Sequence, residues 1–153
     1  MVMKSFLTIA ALTATIAVRT YAQGATLLPL GDLPGGSVWS VAMAVSGDGD
    51  VVGGHSLAAD GPTAFIWTSE TGLQPIGFLP GADSPWSEIA ALSFNGLVAA
   101  GRSRSAATAG LDYGGQAFWW SPSAGMIGLA DLPGGPFRSD VKAMSADGQT
   151  LVG

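Results

Sequence analysis

Short apolar runs separated by glycine-rich turns make up the chain beyond residue 22, and none keeps the 3.6-residue spacing of an amphipathic helix. In the first full period, four strands are predicted near residues 42–46, 50–55, 64–68 and 73–79. Between the first two strands, Asp48-Gly49 predicts a hairpin turn in which both central residues have positive φ. In the third strand, side-chain alternation places Phe65 and Trp67 on one face.

The same blocks occur three times, which makes the chain a repeat protein. The repeats cover approximately residues 30–76, 77–129 and 130–153. Asp32 and Asp131 lie 99 residues apart, and the first and third repeats align over this distance without a gap. The second repeat is about six residues longer, between Ser103 and Ala117, where a surface loop is expected. The Pro-Gly-Gly between repeats is expected to end the strand pairing.

Four strands in a repeat of about 50 residues are typical of a β-propeller blade. We therefore predict an all-β fold, a β-propeller-like array of four-stranded antiparallel blades that is incomplete, with about two and a half repeats. Another stacked β-repeat, such as a solenoid, is the alternative. Because propellers usually have about four to eight blades, we interpret the sequence as a fragment of a longer product. Its unpaired strand edges would favour self-association and aggregation.

The N-terminus has the pattern of an export signal. Lys4 supplies a positive charge, residues 6–18 are uncharged and mostly apolar, and small residues stand at Thr20 and Ala22. This pattern predicts a signal peptide over residues 1–22 and a β-repeat domain over residues 23–153. An uncleaved membrane anchor is the alternative, but a spanning helix needs about 20 apolar residues. The protein is therefore expected to be secreted, either extracellular or periplasmic, with no membrane-spanning segment in the mature chain.

Charge and cysteine content exclude several classes of function. The whole chain has a net charge of −5, and without the predicted leader four basic residues remain against eleven acidic ones. Nucleic-acid binding needs clustered Lys and Arg, so we predict no nucleic-acid partner. The absence of cysteine excludes disulfides, thiolate metal sites and cysteine nucleophiles.

The repeated blocks resemble the HAF repeat family of extracellular bacterial β-repeat proteins. The resemblance rests on Ala-Phe-Ile-Trp at residues 64–67, Ala-Phe-Trp-Trp at residues 117–120, the Leu-Gly-Asp-Leu-Pro-Gly-Gly block and the Ala-x-Ser-x-Asp-Gly-x-x-Val-x-Gly hairpin. It covers roughly residues 28–153 and implies export and β-repeats rather than a particular activity. The family's histidine before Ala-Phe is Thr63 in the first repeat and Gln116 in the second, so no binding role is carried over through that position.

No catalytic, metal-binding or cofactor-binding residue is predicted. His55 is the only histidine, and although Ser56 and Asp48 are near in sequence, neighbours along a strand point to opposite faces. We predict a surface histidine at a strand end or a histidine in a loop. Asp48 and Asp50 lack the spacing of a calcium loop, and their position returns as the Asn95-Gly96 turn. The glycine-rich blocks lack the Gly-Lys-Ser/Thr of a phosphate loop.

The five tryptophans are the best candidates for ligand contact. Trp67 and Trp120 occupy matching positions and are expected in the core between repeats. Trp119 lies on the opposite face of its strand, and Trp39 and Trp86 follow the Pro-Gly turns at matching positions. Exposed tryptophan suits stacking on sugar rings or anchoring of a partner protein. Trp39, Trp86 and Trp119 are therefore the predicted contacts.

These observations favour an exported binding or structural module, with a glycan or a surface protein as its partner and no catalysis. The alternative is a fragment of a propeller-type enzyme acting on extracellular polysaccharide, which would need paired acids at its channel. The acidic candidates are expected in loops without recurrent pairing, namely Asp60, Asp83, Glu88 and Asp112.

Overall fold

The computed structural model describes residues 27–112 and 114–153. Its strands are β1 (Gly35–Val45), β2 (Val51–Ala58), β3 (Gly61–Thr68), β4 (Gly72–Gly77), β5 (Ser87–Leu92), β6 (Ala99–Ser103), β7 (Gln116–Ser121), β8 (Gly125–Gly128), β9 (Ala143–Met144) and β10 (Leu151–Val152). A short 3-10 helix, Ala106–Thr108, lies between β6 and β7. The leader predicted at residues 1–22 lies outside the described residues.

The sheets follow the repeats. Strands β1 to β4 form one antiparallel sheet in sequence order, β5 to β8 form a second, and β9 pairs with β10. The predictions of an all-β fold and of four antiparallel strands per repeat are therefore confirmed for the first two repeats. Within the two described ranges, no helix is long and apolar enough to cross a membrane.

The predicted bounds of the first strand are wrong. We placed its start near residue 42, but β1 begins at Gly35, within the Pro-Gly-Gly block, because Gly35 pairs with Ala58 at the far end of β2. The expectation that the block ends the fourth strand is met between repeats, since β4 ends at Gly77 and β8 at Gly128, before Pro80 and Pro133. Strands β2 and β3 are also longer than predicted, since their pairing continues to Ala58 and Gly61.

The turn between β1 and β2 differs from the predicted one. Gly49 has φ +85°, whereas Asp48 keeps a negative φ, so only one residue is left-handed. Ser46 holds the loop instead: its hydroxyl donates to Asp48 Oδ1 at 2.6 Å and accepts from the Val51 amide at 2.9 Å. A four-residue loop built on a type I turn needs left-handed backbone only after that turn. The second and third repeats form the same serine-centred loop.

A β-bulge in the first strand of each complete repeat explains a repeated glycine. The pairing slips between Ala42 and Ala44 in β1, and at the equivalent place in β5. There the backbone of the neighbouring strand comes so close that a Cβ on Gly54 would overlap the Val41 carbonyl oxygen. Gly101 has the same relation to Glu88. Only glycine fits these positions without moving the backbone.

The first strand of the second repeat packs across the sheet of the first. Ile89 on β5 is fully buried and faces Gly53, where a Cβ would lie 2.7 Å from its side chain. The Ser87 hydroxyl accepts from the Ala64 amide at 2.9 Å and donates to the Gly77 carbonyl at 2.7 Å. Serine and glycine thus join neighbouring sheets closely, and apolar side chains fill the rest. The core cluster between these sheets comprises Ala64, Leu79, Ile89, Ala99 and Phe118.

The extra residues of the second repeat lie between β6 and β7, as predicted. The loop is not wholly superficial, because Ser105 and Thr108 are buried. They hold the 3-10 helix by reciprocal bonds: the Ser105 amide donates to Thr108 Oγ1 at 3.0 Å, and Ser105 Oγ accepts from the Ala107 amide at 3.2 Å. The insertion is therefore a defined structure that can position side chains.

Candidate functional site

A column of polar side chains crosses the junction between the first two repeats. His55 comes from β2, Glu88 from β5 and Arg102 from β6. Arg102 Nε donates to Glu88 Oε1 at 2.8 Å, and His55 Nδ1 lies 3.6 Å from Glu88 Oε2. His55 and Glu88 are both buried. A buried carboxylate is costly unless it is paired, and Arg102 supplies that pair.

His55 is neither the surface residue at a strand end nor the loop residue that the sequence predicted. Strand β2 continues three residues beyond it, and Trp39 covers it with ring centroids 4.9 Å apart. Burial lowers the pKa of His55, and this desolvation outweighs the attraction of Glu88, which is already bonded to Arg102. The imidazole is therefore neutral at neutral pH. Among the described residues, its Nδ1 atom has no hydrogen-bond partner.

Arg102 occupies in the second repeat the position that His55 has in the first. Its guanidinium carbon lies 4.8 Å from the centroid of the Trp86 ring, within the range of a cation–π interaction. The bond to Glu88 and the contact with Trp86 restrain the same planar group from two sides. Such restraint fixes a guanidinium before any ligand arrives, which lowers the entropy lost on binding.

Beside Trp86 is a cleft of about 290 Å³, which we call the arginine cleft. All three repeats contribute to it. Its lining residues are Pro62, Ser84, Pro85, Trp86, Arg102, Arg104, Asp112, Gly114 and Arg138. The volume is close to the lower limit of small-molecule pockets, about 300 Å³.

The arginine cleft gathers most of the positive charge of the described chain. The described residues include four basic side chains, Arg102, Arg104, Arg138 and Lys142. The three arginines line the cleft. Lys142 instead pairs with Asp140 at 2.7 Å. Since eleven acidic residues outnumber these four, the grouping of three arginines at one place sets the cleft apart from the rest of the described surface.

The inserted loop of the second repeat supplies one wall. Arg104 Nη2 donates to the carbonyl oxygen of Asp112 at 3.3 Å, which connects the two ends of that wall. Farther along the loop, the Gly110 amide donates to Asp83 Oδ2 at 2.9 Å. This bond is the main reason that the pKa of Asp83 is lowered. The loop that lengthens the second repeat thus also shapes the cleft.

The three predicted tryptophan contacts lie in different surroundings. Trp86 is half-buried and lines the arginine cleft, although Arg102 lies over its ring. Trp39 is 46% exposed and lies against His55. Trp119 is half-buried on β7, on the strand face opposite the buried Phe118, and does not line the cleft. Trp120 packs at the core cluster with Phe118, as predicted.

The acidic candidates are also separated. Glu88 was expected in a loop but lies in β5, because the strand starts at Ser87 and continues through it. Asp112 lines the arginine cleft, Asp83 holds the inserted loop, and Asp60 lies in the β2–β3 turn. In residues 27–112 and 114–153, no three His, Asp or Glu side chains are grouped as metal ligands.

A larger depression, of about 740 Å³, follows β9 and β10. In the described third repeat this pair lacks the two further strands that β7 and β8 supply in the second. Its walls are mainly the segment that precedes these strands, residues 129–132 and 138–142, together with Leu151 and Val152 of β10. Convergent polar groups define the smaller cleft better, so we regard the arginine cleft as the candidate site.

The arginines of the cleft were not among the residues predicted from the sequence, although the repeat alignment carries a signal for two of them. Arg138 stands 99 residues after Trp39, at the same position of the third repeat, and Arg102 replaces His55. The serine and glycine residues recur in the repeats, whereas these two aligned positions differ between repeats. Such differences indicate positions that are not needed for the shared fold.

Comparison with known proteins yields no relative. No protein-family model matches the chain, and no curated protein or solved structure matches it. The function must therefore be argued from the site itself.

Proposed function

We propose that this protein is an exported β-repeat module that binds a glycan or a surface protein, without catalysis, at the end of the sheets where the repeats meet. The observation that carries the proposal is the arginine cleft, in which three repeats converge on one small, polar cavity beside Trp86. The signal-peptide pattern of residues 1–22 and the resemblance to the HAF repeat family support export.

We further propose that the repeats are arranged as blades of a propeller-like array. Sequential four-stranded antiparallel sheets that pack face to face support this arrangement. Neighbouring turns are bonded in the same sense: the Asp48 amide donates to the Phe94 carbonyl at 3.1 Å, and the Phe94 amide donates to the Ala146 carbonyl at 2.7 Å. In such an array, turns at one end are engaged with each other and the other end remains available for binding.

The alternative is a propeller-type enzyme acting on extracellular polysaccharide. Glycoside hydrolysis commonly uses two carboxyl groups on either side of the scissile bond. Glu88 and Asp112 are the acids nearest to the cleft, but Glu88 is buried and bonded to Arg102. Because the Glu88 carboxylate is buried and already engaged by Arg102, it does not stand free beside a substrate, and a binding role is the better interpretation.

The binding proposal is tested by screening the purified chain against immobilised neutral and acidic oligosaccharides. Retention of at least one class is expected, and Trp86→Ala should weaken it without lowering the melting temperature sharply. Trp119→Ala is a matched control outside the cleft. If no glycan or surface protein is retained, the proposal fails; if Trp86→Ala unfolds the protein, Trp86 belongs to the core.

Export is tested separately by N-terminal sequencing of the protein recovered outside the cytoplasm. Cleavage after Ala22 should leave Gln23 at the N-terminus. A chain that begins at Met1 would contradict cleavage.

A further inference from the structure

We propose that the arginine cleft binds a carboxylated sugar, such as a uronate residue of an acidic polysaccharide. This inference rests on the proposed binding function and narrows it to one class of ligand. The first argument is geometric. A guanidinium presents a planar fork of N–H donors that matches a carboxylate in two parallel hydrogen bonds, and three guanidinium groups line one cavity of about 290 Å³.

Of the three arginines, Arg102 has its guanidinium restrained by both Glu88 and Trp86. Its Nε atom is bonded to Glu88, and its guanidinium carbon lies over Trp86. Among the described residues, no protein acceptor is bonded to its two terminal nitrogens. These nitrogens remain available to a ligand, while Glu88 and Trp86 hold the plane of the group in place. Trp86 is thus a positioning residue rather than a surface for stacking.

The charge of the cleft favours a ligand that places one negative charge inside it. Arg102, Arg104 and Arg138 contribute three positive charges, and Asp112 at the rim with Glu88 beneath Arg102 contributes two negative ones. The net charge of these five groups is therefore +1, which one carboxylate neutralises. A doubly charged phosphate would leave an excess of negative charge.

Asp112 favours a sugar over an acidic peptide. A carboxylate at the cleft accepts hydrogen bonds from hydroxyl groups, which a sugar unit carries beside its own carboxylate and an acidic side chain does not. Pro62 and Pro85 add apolar walls of the kind that accommodate the C–H faces of a ring. The cavity holds about one sugar unit, so neighbouring units of a polysaccharide would extend into solvent.

The test is calorimetric titration of the purified chain with trigalacturonate and with galactotriose, which lacks the carboxylates. Trigalacturonate should bind about tenfold or more tightly than galactotriose, because its carboxylate adds charge-assisted hydrogen bonds to the guanidinium groups. Arg138→Gln should reduce the affinity for trigalacturonate by a similar factor. Lys142→Gln removes the same charge outside the arginine cleft and should change it less than about twofold.

Each other outcome overturns the inference. Equal affinity for the two trisaccharides would show glycan binding without carboxylate recognition, so the proposed function would survive and this inference would not. Tighter binding of a glutamate trimer would point to an acidic peptide, and equal competition by inorganic phosphate to general anion binding. Binding of neither trisaccharide would reject the carboxylated sugar; a surface protein would then remain for the proposed function. Melting curves of both variants confirm that altered affinity is not unfolding.

Discussion

The first strand of the repeat is largely exposed in the first repeat, whereas it is largely buried in the second. In the first repeat, β1 carries exposed Val38, Met43 and Val45. In the second, β5 begins with three buried residues and packs across the first sheet. Since both strands pair with their own sheets in the same bulged register, the difference arises from the neighbouring repeat. The repeat sequence therefore specifies each sheet, and stacking of repeats supplies the core between sheets.

A second difference lies at the end of the strands that faces the candidate site. The first repeat places His55 against Trp39 and closes β2 to β3 with a tight hairpin. The second places Arg102 against Trp86 and inserts a longer loop that ends in the arginine cleft. The frame of serine and glycine is shared, whereas the residues at this end differ. Binding chemistry thus varies on a constant scaffold.

The largest predicted effect tests whether stacking stabilises the second repeat. Ile89→Ala should lower the free energy of unfolding by about 2–5 kcal/mol, because it opens a cavity where Ile89 is fully buried against Gly53. Val45→Ala, on the exposed equivalent strand, should cost less than about 0.5 kcal/mol. Urea unfolding measures both. Equal losses would contradict the different surroundings of β1 and β5.

A smaller effect is expected at the serine that bridges repeats. Ser87→Ala removes the partner of the buried Ala64 amide and should cost about 1–3 kcal/mol. Ser40, its counterpart in the first repeat, is exposed and bonds only to the Gly31 carbonyl among the described residues. Ser40→Ala should therefore have little effect on the urea midpoint. A loss at Ser40 as large as that at Ser87 would show that the serine acts within its own repeat.

The smallest effect concerns pH. Burial lowers the pKa of His55 in the folded protein, so as pH falls below about 6.5 the unfolded chain takes up a proton before the folded chain does. The unfolded state then binds more protons, and stability falls as the medium becomes acidic. Melting temperatures at pH 7.5 and 5.5 should differ less in His55→Gln than in the parent. An unchanged difference would contradict a buried neutral imidazole.

The turn acids provide the matched control for this experiment. Hydrogen bonds from Ser46 and Ser145 lower the pKa values of Asp48 and Asp147. Their contribution to stability is therefore present above about pH 4 and is lost as pH falls below it. Asp48→Asn introduces the side chain that the second repeat already has at Asn95. The variant should therefore lose the part of the fall in stability below about pH 4 that Asp48 causes in the parent, and it should leave the pH dependence due to His55 unchanged.

The repeat pattern made much of the fold predictable, because strand alternation and turn residues are local. The four-strand unit and the position of the insertion follow from such signals. The extent of β1 does not, since it depends on pairing of Gly35 with Ala58 across the sheet. The turn type was also wrong, because the Ser46 hydroxyl stabilises a loop that the Asp-Gly pair alone does not specify.

The candidate site was less accessible to prediction. Trp86 was identified from its position after the Pro-Gly turn, but its partner Arg102 comes from another strand. Arg138 reaches the same cleft from the third repeat. No local pattern joins residues that meet only when three repeats stack. The available signal is the difference between aligned repeat positions, where Arg102 replaces His55 and Arg138 replaces Trp39.

Binding at the arginine cleft can be observed by NMR titration of isotope-labelled protein with trigalacturonate, following the arginine Nε–Hε signals. If a carboxylate binds in the arginine cleft, the signals of Arg102, Arg104 and Arg138 should shift together and saturate with one affinity, while the indole signal of Trp39 stays in place. Shifts confined to Trp39 and the first repeat, with the arginine signals unmoved, would contradict binding at this cleft.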